Sequence, residues 1–324
     1  MHFRSKDRDE HREIVLFSDD RLPVRDTTAI PHRWVCSLEV EFPEPVLYPL
    51  GPLEQPGKQW QTLQATTEGC GSGLLISPRH VLTSAHVIAG LKRVQSRHVN
   101  GERFQLVPAS RVKVMPGRNE MDRGHNWPLG TYTSRRVLTY PGFKQILESP
   151  LRADINLIKN SLSQDVGLVE LSDWTDTRLG WWGANENYHL REVPDKLRRR
   201  LIGRQAQLAG YPGEKGPIAC GAAYRSSGRI VEAFHRINNR QQDLIFYLAD
   251  TSAGMSGSPV WIRETGNHFR LVGVHSSFLD YRPGSKANVA ALLSPAIYKW
   301  IGSQGVFPEY VLEFSKNRDH ERLS

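Results

Sequence analysis

The stretch DTSAGMSGSPVW, residues 250–261, places glycines close on either side of a serine and then returns to apolar residues. Gly254 and Gly257 allow backbone conformations that a side chain would forbid, as a tight turn requires. A nucleophilic serine needs an exposed hydroxyl and backbone N–H groups that face the developing oxyanion. We therefore interpret Ser256 as a candidate nucleophile, with the N–H groups of Gly254 and Ser256 as candidate oxyanion-hole donors. A plain Gly/Ser turn between two strands is the alternative.

A second segment, GCGSGLLISPRHVLTSAHVIAG at 69–90, reads as two strands joined by a turn and followed by a short helical turn. This pattern places His86 at the end of the second strand. A lone histidine in such a position is usually a core residue. Because a nucleophilic serine needs an adjacent base, the combination with the serine turn makes His86 the candidate general base.

Short β-like runs separated by Gly-, Pro- and Asn-rich turns recur along the chain. They lack the strand–helix alternation of a parallel sheet, which favours an antiparallel barrel or sandwich. The last helix is predicted at 294–304, with Ser294 as N-cap and Pro295 in the first helical position. Segments 45–64 and 115–132 are interpreted as loop-like insertions. The predicted strands cover 35–42, 73–77, 80–84, 166–172, 205–210, 243–249, 258–262 and 269–277.

The composition is that of an ordinary globular protein, with 39% hydrophobic and 23% charged residues. No apolar run reaches the length needed to span a bilayer, so we expect no membrane partner. The first residues, MHFRSKDRDEHRE, lack the apolar segment of a signal peptide, which favours a cytoplasmic location. A secreted protein is the alternative if the sequence is a trimmed form.

The formal net charge of +8 is concentrated in part in the run REVPDKLRRRLIGR, 191–204. This run lacks interleaved aromatic residues and matches no nucleic-acid motif, so we interpret it as a solvated helical face. We expect no nucleic-acid partner.

Three cysteines, Cys36, Cys70 and Cys220, form an odd set without CxxC spacing. This spacing argues against a zinc site and against a dense disulfide framework. A Cys36–Cys70 bridge would form if the first two strands were adjacent. In a cytosolic chain, free buried thiols are the preferred interpretation.

Together these segments resemble the chymotrypsin-like serine proteases, in which a Ser-His-Asp triad does the chemistry. The order His, Asp, Ser along the chain is also that family's order. Within the family the chain resembles the bacterial glutamyl endopeptidases, over about residues 14–301. The resemblance rests on TSAH (83–86), DVGLVEL (165–171), LAGYPGEKG (208–216), SSGRIVEA (226–233), GMSGSP (254–259) and LVGVH (271–275).

The resemblance implies an all-β, trypsin-like fold with two antiparallel six-stranded β-barrels and a C-terminal α-helix. It divides the chain into an N-terminal extension at 1–30, a double-barrel protease domain at 31–305 and a polar C-terminal tail at 306–324. The implied activity is that of a serine endopeptidase with a protein or peptide substrate. Nothing in the sequence identifies a regulatory partner.

The implied mechanism uses Ser256 as nucleophile, His86 as general base and Asp165 as the acid that orients the imidazole. The reaction passes through an acyl-enzyme and needs neither a metal nor an organic cofactor. Asp165 begins DVGLVEL, the better match to the family's aspartate strand. Asp154, which begins an apolar run in ADINLIKN (153–160), is the fallback.

The resemblance gives two conflicting indications of specificity. Thr251 and His275 occupy positions that bind an acidic side chain in glutamyl endopeptidases, which implies cleavage after Glu or Asp. Asp250 occupies a position that attracts Arg or Lys in trypsin-like relatives. Two carboxylates facing each other would be unfavourable unless a cation lay between them. We favour the acidic preference, with Asp250 turned away to accept backbone N–H groups.

The resemblance also bears on the N-terminus, because IVLFSDDRLPVRDTT (14–28) resembles the start of the mature glutamyl endopeptidases. If it carries over, residues 1–13 are a removable leader, released by a cut between Glu13 and Ile14. A polar extension without a role is the alternative.

For the whole chain, two other classes of protein are alternatives to an active protease: a catalytically silent binding module with the protease fold, and a basic nucleic-acid-binding protein.

Overall fold

The structure is a computed structural model, and it describes residues 15–16, 18–47, 65–95, 101–121, 126–149, 155–216, 218–237 and 240–306. The described α-helices are α1 (Ala85–Ile88), α2 (Pro141–Leu147), α3 (Ile155–Ser161), α4 (Asp195–Leu201) and α5 (Pro295–Ile301). In chain order the described strands are β1 (Leu22–Pro23), β2 (Val35–Val46), β3 (Thr66–Ser77), β4 (His80–Thr83), β5 (Ala89–Gln95), β6 (Glu102–Pro108), β7 (Arg111–Pro116), β8 (Tyr132–Thr139), β9 (Gly167–Leu171), β10 (Tyr188–His189), β11 (Gln205–Gly210), β12 (Tyr224–Glu232), β13 (His235–Ile237), β14 (Arg240–Gln242), β15 (Leu244–Tyr247), β16 (Pro259–Arg263), β17 (Phe269–Arg282) and β18 (Ser285–Leu292).

Six antiparallel strands close into an N-terminal barrel in the order β2-β3-β4-β9-β8-β7. Along β2, Leu38 and Val40 are buried, whereas Glu41 on the intervening face is exposed. This alternation puts one face of each strand into the barrel, because successive side chains point to opposite sides. Closure also pairs every edge of the sheet, so no strand of the barrel is left as an open edge.

A second set of six antiparallel strands, β12-β11-β16-β17-β18-β15, closes through the pairing of β12 with β15. Leu208 of β11, Val260 of β16 and Ala291 of β18 are fully buried in its interior. Outside this barrel, β1 pairs with β12 and β10 pairs in parallel with β17. The prediction of an all-β fold with two six-stranded antiparallel barrels and a C-terminal helix is confirmed.

The C-terminal helix α5 begins at Pro295, directly after Ser294, as predicted. It ends at Ile301, three residues earlier than predicted, because the chain continues as a wider helical turn at Gly302–Val306. Gly305 closes that turn with φ +84°, a conformation that favours glycine. None of the helices in the described part of the chain is long and apolar enough to cross a bilayer.

The basic run at 191–204 contains helix α4, and the prediction of a solvated face holds for Arg199 and Arg200, which are exposed. It is wrong for Arg198, whose side chain is only 6% exposed. The guanidinium of Arg198 lies 2.5 Å from Asp243 and 3.1 Å from Asp195. A buried guanidinium needs such carboxylate partners to compensate for the loss of water.

The described part of the predicted insertion at 115–132 contacts the C-terminal barrel. Its Asn119 forms an isolated β-bridge with Ala222, and the N–H of Glu120 donates to the Gly221 carbonyl. Most of the other predicted insertion, 45–64, lies outside the described residues.

Candidate active site

The two predicted acid–base residues, His86 and Asp165, are in direct contact. Asp165 is fully buried between the short 3₁₀ turn Leu162–Gln164 and strand β9, and His86 lies in the one-turn helix α1. The Asp165 carboxylate lies 2.6 Å from Nδ1 of His86 and also accepts the backbone N–H of His86 at 2.9 Å. Both the position and the ring orientation of the histidine are therefore fixed by one carboxylate.

Ser276 connects this pair to the predicted nucleophile, and sequence reasoning missed it. Its hydroxyl donates to the Asp165 carboxylate at 2.5 Å, and its carbonyl accepts the hydroxyl of Ser256 at 3.5 Å. The only trace of Ser276 in the sequence is a polar residue that directly follows His275 within an apolar strand. The register of β17 shifts between His275 and Ser277, a local irregularity of the kind that re-aims side chains beside active sites.

The His275 carbonyl joins the turn that contains Ser256 to helix α1, which contains His86. It accepts the hydroxyl of Ser84 at 2.6 Å and the N–H of Gly257 at 2.8 Å. Ser84 lies two residues before His86, and Gly257 directly follows Ser256. Since both donors converge on one oxygen, the segments that carry His86 and Ser256 meet at the His275 carbonyl.

The turn at residues 251–258, which contains the candidate nucleophile and is called the nucleophile turn, is also anchored to the N-terminal barrel through Ser72 of β3. Ser72 donates its N–H to the Ser256 carbonyl and its hydroxyl to the Gly254 carbonyl, both at 2.8 Å. Gly254 and Gly257 have φ of +94° and +86°. A Cβ on Gly257 would lie 2.1 Å from the Ser72 carbonyl oxygen. The turn therefore needs glycine at these two positions, as the sequence predicted.

The N–H groups predicted to form the oxyanion hole belong to two peptide units whose carbonyls are already engaged. The Ala253 carbonyl accepts the Gly213 N–H at 2.6 Å, and the Met255 carbonyl accepts the Ser258 N–H at 2.9 Å. In a trans peptide the N–H points opposite to the C=O. The N–H groups of Gly254 and Ser256 are therefore directed away from these internal partners.

A disulfide joins Cys70 of β3 to Cys220, so the prediction for the cysteines is corrected. The considered Cys36–Cys70 bridge and the preferred free thiols at 70 and 220 are both wrong, and only Cys36 is a free, buried thiol. The pairing joins residues 150 positions apart, which spacing along the sequence does not reveal. The Cys220 sulfur packs behind the nucleophile turn, because a Cβ on Gly254 would lie 2.6 Å from it.

Loss of this disulfide is expected to lower the free energy of unfolding by about 2–5 kcal/mol, because the bridge closes a long loop in the unfolded chain. Urea unfolding of wild type and of a Cys70→Ser/Cys220→Ser variant measures the difference, with Cys36→Ser as control. Alkylation of denatured protein should modify one cysteine before reduction and three after it. Three reactive thiols in unreduced protein would contradict the pairing.

Two of the predicted specificity residues are fully buried beside this turn. Among the described residues, the Thr251 hydroxyl has no hydrogen-bond partner. The Nδ1 atom of His275 lies 2.5 Å from the Tyr247 hydroxyl and 3.2 Å from the Val289 carbonyl oxygen. These two contacts at Nδ1 fix the orientation of the imidazole ring. Tyr247 was not singled out from the sequence. Its position in an apolar strand made it look like an ordinary core aromatic.

The third predicted specificity residue, Asp250, is engaged with the N-terminal segment. Its carboxylate accepts the N–H of Leu16 at 2.8 Å and the N–H of Asp20 at 3.1 Å, and it is 4% exposed. Its own N–H donates to the Ser226 hydroxyl. Burial and the neighbouring charge of Asp250 raise the pKa of Asp20. Asp250 thus holds backbone N–H groups, the arrangement expected if it does not select the substrate.

Two sequence predictions lie outside the described residues: the fallback acid Asp154 and the bond between Glu13 and Ile14. No group of three or more His, Cys, Asp and Glu side chains within the described ranges could hold a metal ion.

Comparison with known sequences gives a consistent set of relatives. Residues 71–274 match the trypsin-like peptidase domain. The glutamyl endopeptidase of Bacillus licheniformis is 24% identical over 248 residues, which cover 76% of this chain and 54% of the relative. That of Staphylococcus epidermidis is 26% identical over 219 residues, which cover 68% and 58%. The match therefore spans little more than half the length of these curated relatives.

Solved structures share the double-barrel fold. A Glu endopeptidase in complex with MPD gives a TM-score of 0.56 at 18% sequence identity, and the match covers 90% of this chain and 99% of that one. The protease Anisep from Arthrobacter nicotinovorans gives 0.50 at 12% identity, with 84% and 94% covered. With the family match over 71–274, the chain belongs to the trypsin-like peptidase domain family, as a distant homologue of the bacterial glutamyl endopeptidases.

Proposed function

We propose that this trypsin-like serine peptidase is an active endopeptidase that uses Ser256, His86 and Asp165, and that it cleaves after Glu and, less well, after Asp. The observation that carries the proposal is the fully buried Asp165 carboxylate, 2.6 Å from Nδ1 of His86 and joined through Ser276 to the hydroxyl of Ser256. A buried carboxylate on an imidazole, next to a serine in a glycine turn, is the arrangement that activates a hydroxyl.

The chemistry follows from the tautomer that Asp165 imposes. With Nδ1–H donated to the carboxylate, Nε2 of the neutral imidazole is the acceptor. His86 takes the Ser256 proton as Oγ bonds to the scissile carbonyl carbon. It then protonates the amine as the C–N bond breaks. Water attacks the resulting ester as His86 accepts a proton from it. His86 then returns this proton to Oγ of Ser256 as the ester C–O bond breaks and the acid product leaves.

The oxyanion of each tetrahedral intermediate would be bound by the N–H groups of Gly254 and Ser256. Their peptide units are fixed in advance by the hydrogen bonds of the Ala253 and Met255 carbonyls. Donors that need no reorganisation during the reaction stabilise the developing charge, and removal of one costs about 2.7–4 kcal/mol in comparable sites.

The preference for an acidic residue rests on Thr251 and His275. A buried hydroxyl without a hydrogen-bond partner lowers stability by roughly 1–3 kcal/mol. The Thr251 hydroxyl therefore favours a ligand that accepts a hydrogen bond from it. A substrate carboxylate beside it is such a ligand. Asp250 is not available to bind a substrate side chain, because both of its oxygens accept backbone N–H groups. This disfavours the alternative of cleavage after Arg or Lys.

A library of peptides that differ only in the residue before the cut tests this function. Cleavage should be fastest after Glu, then Asp, and far slower after Gln, Arg and Lys. Cleavage after Arg or Lys, abolished by Asp250→Ser, would show instead that Asp250 selects the substrate.

His275→Ala is expected to reduce kcat/KM for Glu substrates by about ten- to a hundredfold, since hydrogen bonds to charged groups contribute about 1.5–3 kcal/mol. Hydrolysis after Gln should fall much less. The control is His80→Ala, which removes another buried histidine, hydrogen-bonded to the Ser77 hydroxyl in the N-terminal barrel. Equal losses for Glu and Gln peptides in His275→Ala would remove His275 from the specificity site.

For the cellular location, the sequence favours the cytoplasm, with secretion as the alternative. The Cys70–Cys220 disulfide favours secretion, since disulfides persist mainly in oxidising compartments.

A further inference from the structure

Residue Arg21 joins the N-terminal segment to the nucleophile turn. Its side chain is only 2% exposed, although it lies in a stretch that reads as a polar extension. The guanidinium donates to the Ser252 hydroxyl and lies 2.5 Å from the Glu214 carboxylate. The Ser252 hydroxyl in turn donates to Glu214 at 2.6 Å. Arg21, Ser252 and Glu214 therefore form a closed triangle of hydrogen bonds.

The guanidinium is itself held in place by a second carboxylate. Asp19 accepts from Nε and Nη2 of Arg21 at 2.8 and 2.9 Å, and Lys215 lies 2.6 Å from the same carboxylate. A bidentate arginine–carboxylate contact fixes the orientation of the guanidinium as well as its distance from the carboxylate. Burial of a charged side chain carries a large desolvation free energy, which carboxylate partners around the charge must offset.

Both corners of the triangle lie next to groups assigned to the active site. Ser252 directly follows Thr251, and its carbonyl accepts the Met255 N–H at 2.9 Å, which closes the turn before Ser256. Glu214 directly follows Gly213, whose N–H sets the orientation of the Ala253–Gly254 peptide. Displacement of either corner would move the specificity hydroxyl or an oxyanion donor.

We propose that Arg21 is a positioning residue of the active site, which holds the turn of Thr251 and Met255 in its working geometry through Ser252 and Glu214. The proposal rests on the function proposed above. It assigns Arg21 no contact with substrate, because two carboxylates already surround its charge. The N-terminal segment is in this view a working part of the peptidase.

Hydrogen exchange and specificity test the role of Arg21 together. In Arg21→Ala, the Met255 amide should exchange about ten- to a hundredfold faster, the effect of losing a hydrogen bond to a charged group. The ratio of kcat/KM for matched Glu and Gln peptides should fall at least about threefold. Both readouts in Arg21→Lys should lie between those of wild type and of Arg21→Ala, because an ammonium group cannot reproduce the paired hydrogen bonds of a guanidinium.

Two further variants guard against a general loss of stability. Ser252→Ala removes a corner of the triangle without burying an unpaired charge, and it should change both readouts in the same direction. Arg198→Ala is the matched control, since the Arg198 side chain is also almost fully buried, at 6% exposed, and also contacts two carboxylates, but those lie outside the turn. It should leave both readouts unchanged.

Unchanged exchange at Met255 in Arg21→Ala and Ser252→Ala, or an unchanged Glu-to-Gln ratio in an active variant, overturns the assignment. A wild-type protein that hydrolyses no peptide would defeat the proposed function instead, and the Met255 exchange would still decide whether Arg21 holds the turn.

Discussion

Replacement of Ser256 by alanine is expected to lower kcat/KM for peptide hydrolysis by about 10⁴-fold or more, because it removes the hydroxyl on which the proposed acyl-enzyme forms. Stability should change little, since Ser256 is only partly buried and its hydroxyl makes a long contact of 3.5 Å with the Ser276 carbonyl. Initial rates on a Glu peptide measure the loss, and circular dichroism checks the fold.

His86→Ala should have a loss of similar size, and the double variant should be no worse than either single one, because the two residues act as a unit. Ser303→Ala, an exposed serine in the C-terminal turn, is the control. A Ser256→Ala protein that keeps a tenth of wild-type activity would show that the nucleophile lies elsewhere.

Asp165→Asn is expected to lower kcat by about 10⁴-fold while the barrel remains folded, because an amide permits the wrong imidazole tautomer. Asp165 accepts three hydrogen bonds, from the His86 backbone, the His86 ring and Ser276. An asparagine has one acceptor oxygen and would present an NH₂ group to one of these donors. The pH dependence of kcat and a thermal melt separate a tautomer effect from unfolding.

Asp154→Asn provides the internal comparison, because Asp154 was the fallback for the same role. It should retain near-normal activity. An inactive Asp154→Asn together with an active Asp165→Asn would reverse the assignment of the acid.

Much of the fold could be predicted because most of the strands that line the barrels carry visible apolar runs. The barrel strands that were not predicted are β7, β8, β12 and β18. Strand β12 was missed as a strand: its buried face presents Ser226, Gly228 and Ile230, which give little hydrophobic periodicity. Strand β18 is rich in alanine and was missed for a similar reason. Helices α2 and α3 lie between the predicted strands and are only seven residues long, too short for a clear helical period.

The candidate site was predictable where short motifs carry chemistry, as for Ser256, His86 and Asp165. Residues that act through distant partners were not. Ser276 is defined by a carboxylate 111 positions away, and Arg21 by a hydroxyl 231 positions away. Neither has a local signature, because a serine in a strand and an arginine in a polar segment are ordinary features. Only the folded chain brings these partners together.

Labelling with a fluorophosphonate tests the central claim most directly, because the reagent phosphonylates a serine only where a base and an oxyanion hole activate it. Intact mass and peptide mapping of folded wild-type protein should show one adduct, on Ser256. The adduct should be absent in Ser256→Ala and form far more slowly in His86→Ala. A catalytically silent binding module would remain unlabelled, and unlabelled folded wild type, or an adduct on another serine, would contradict the account.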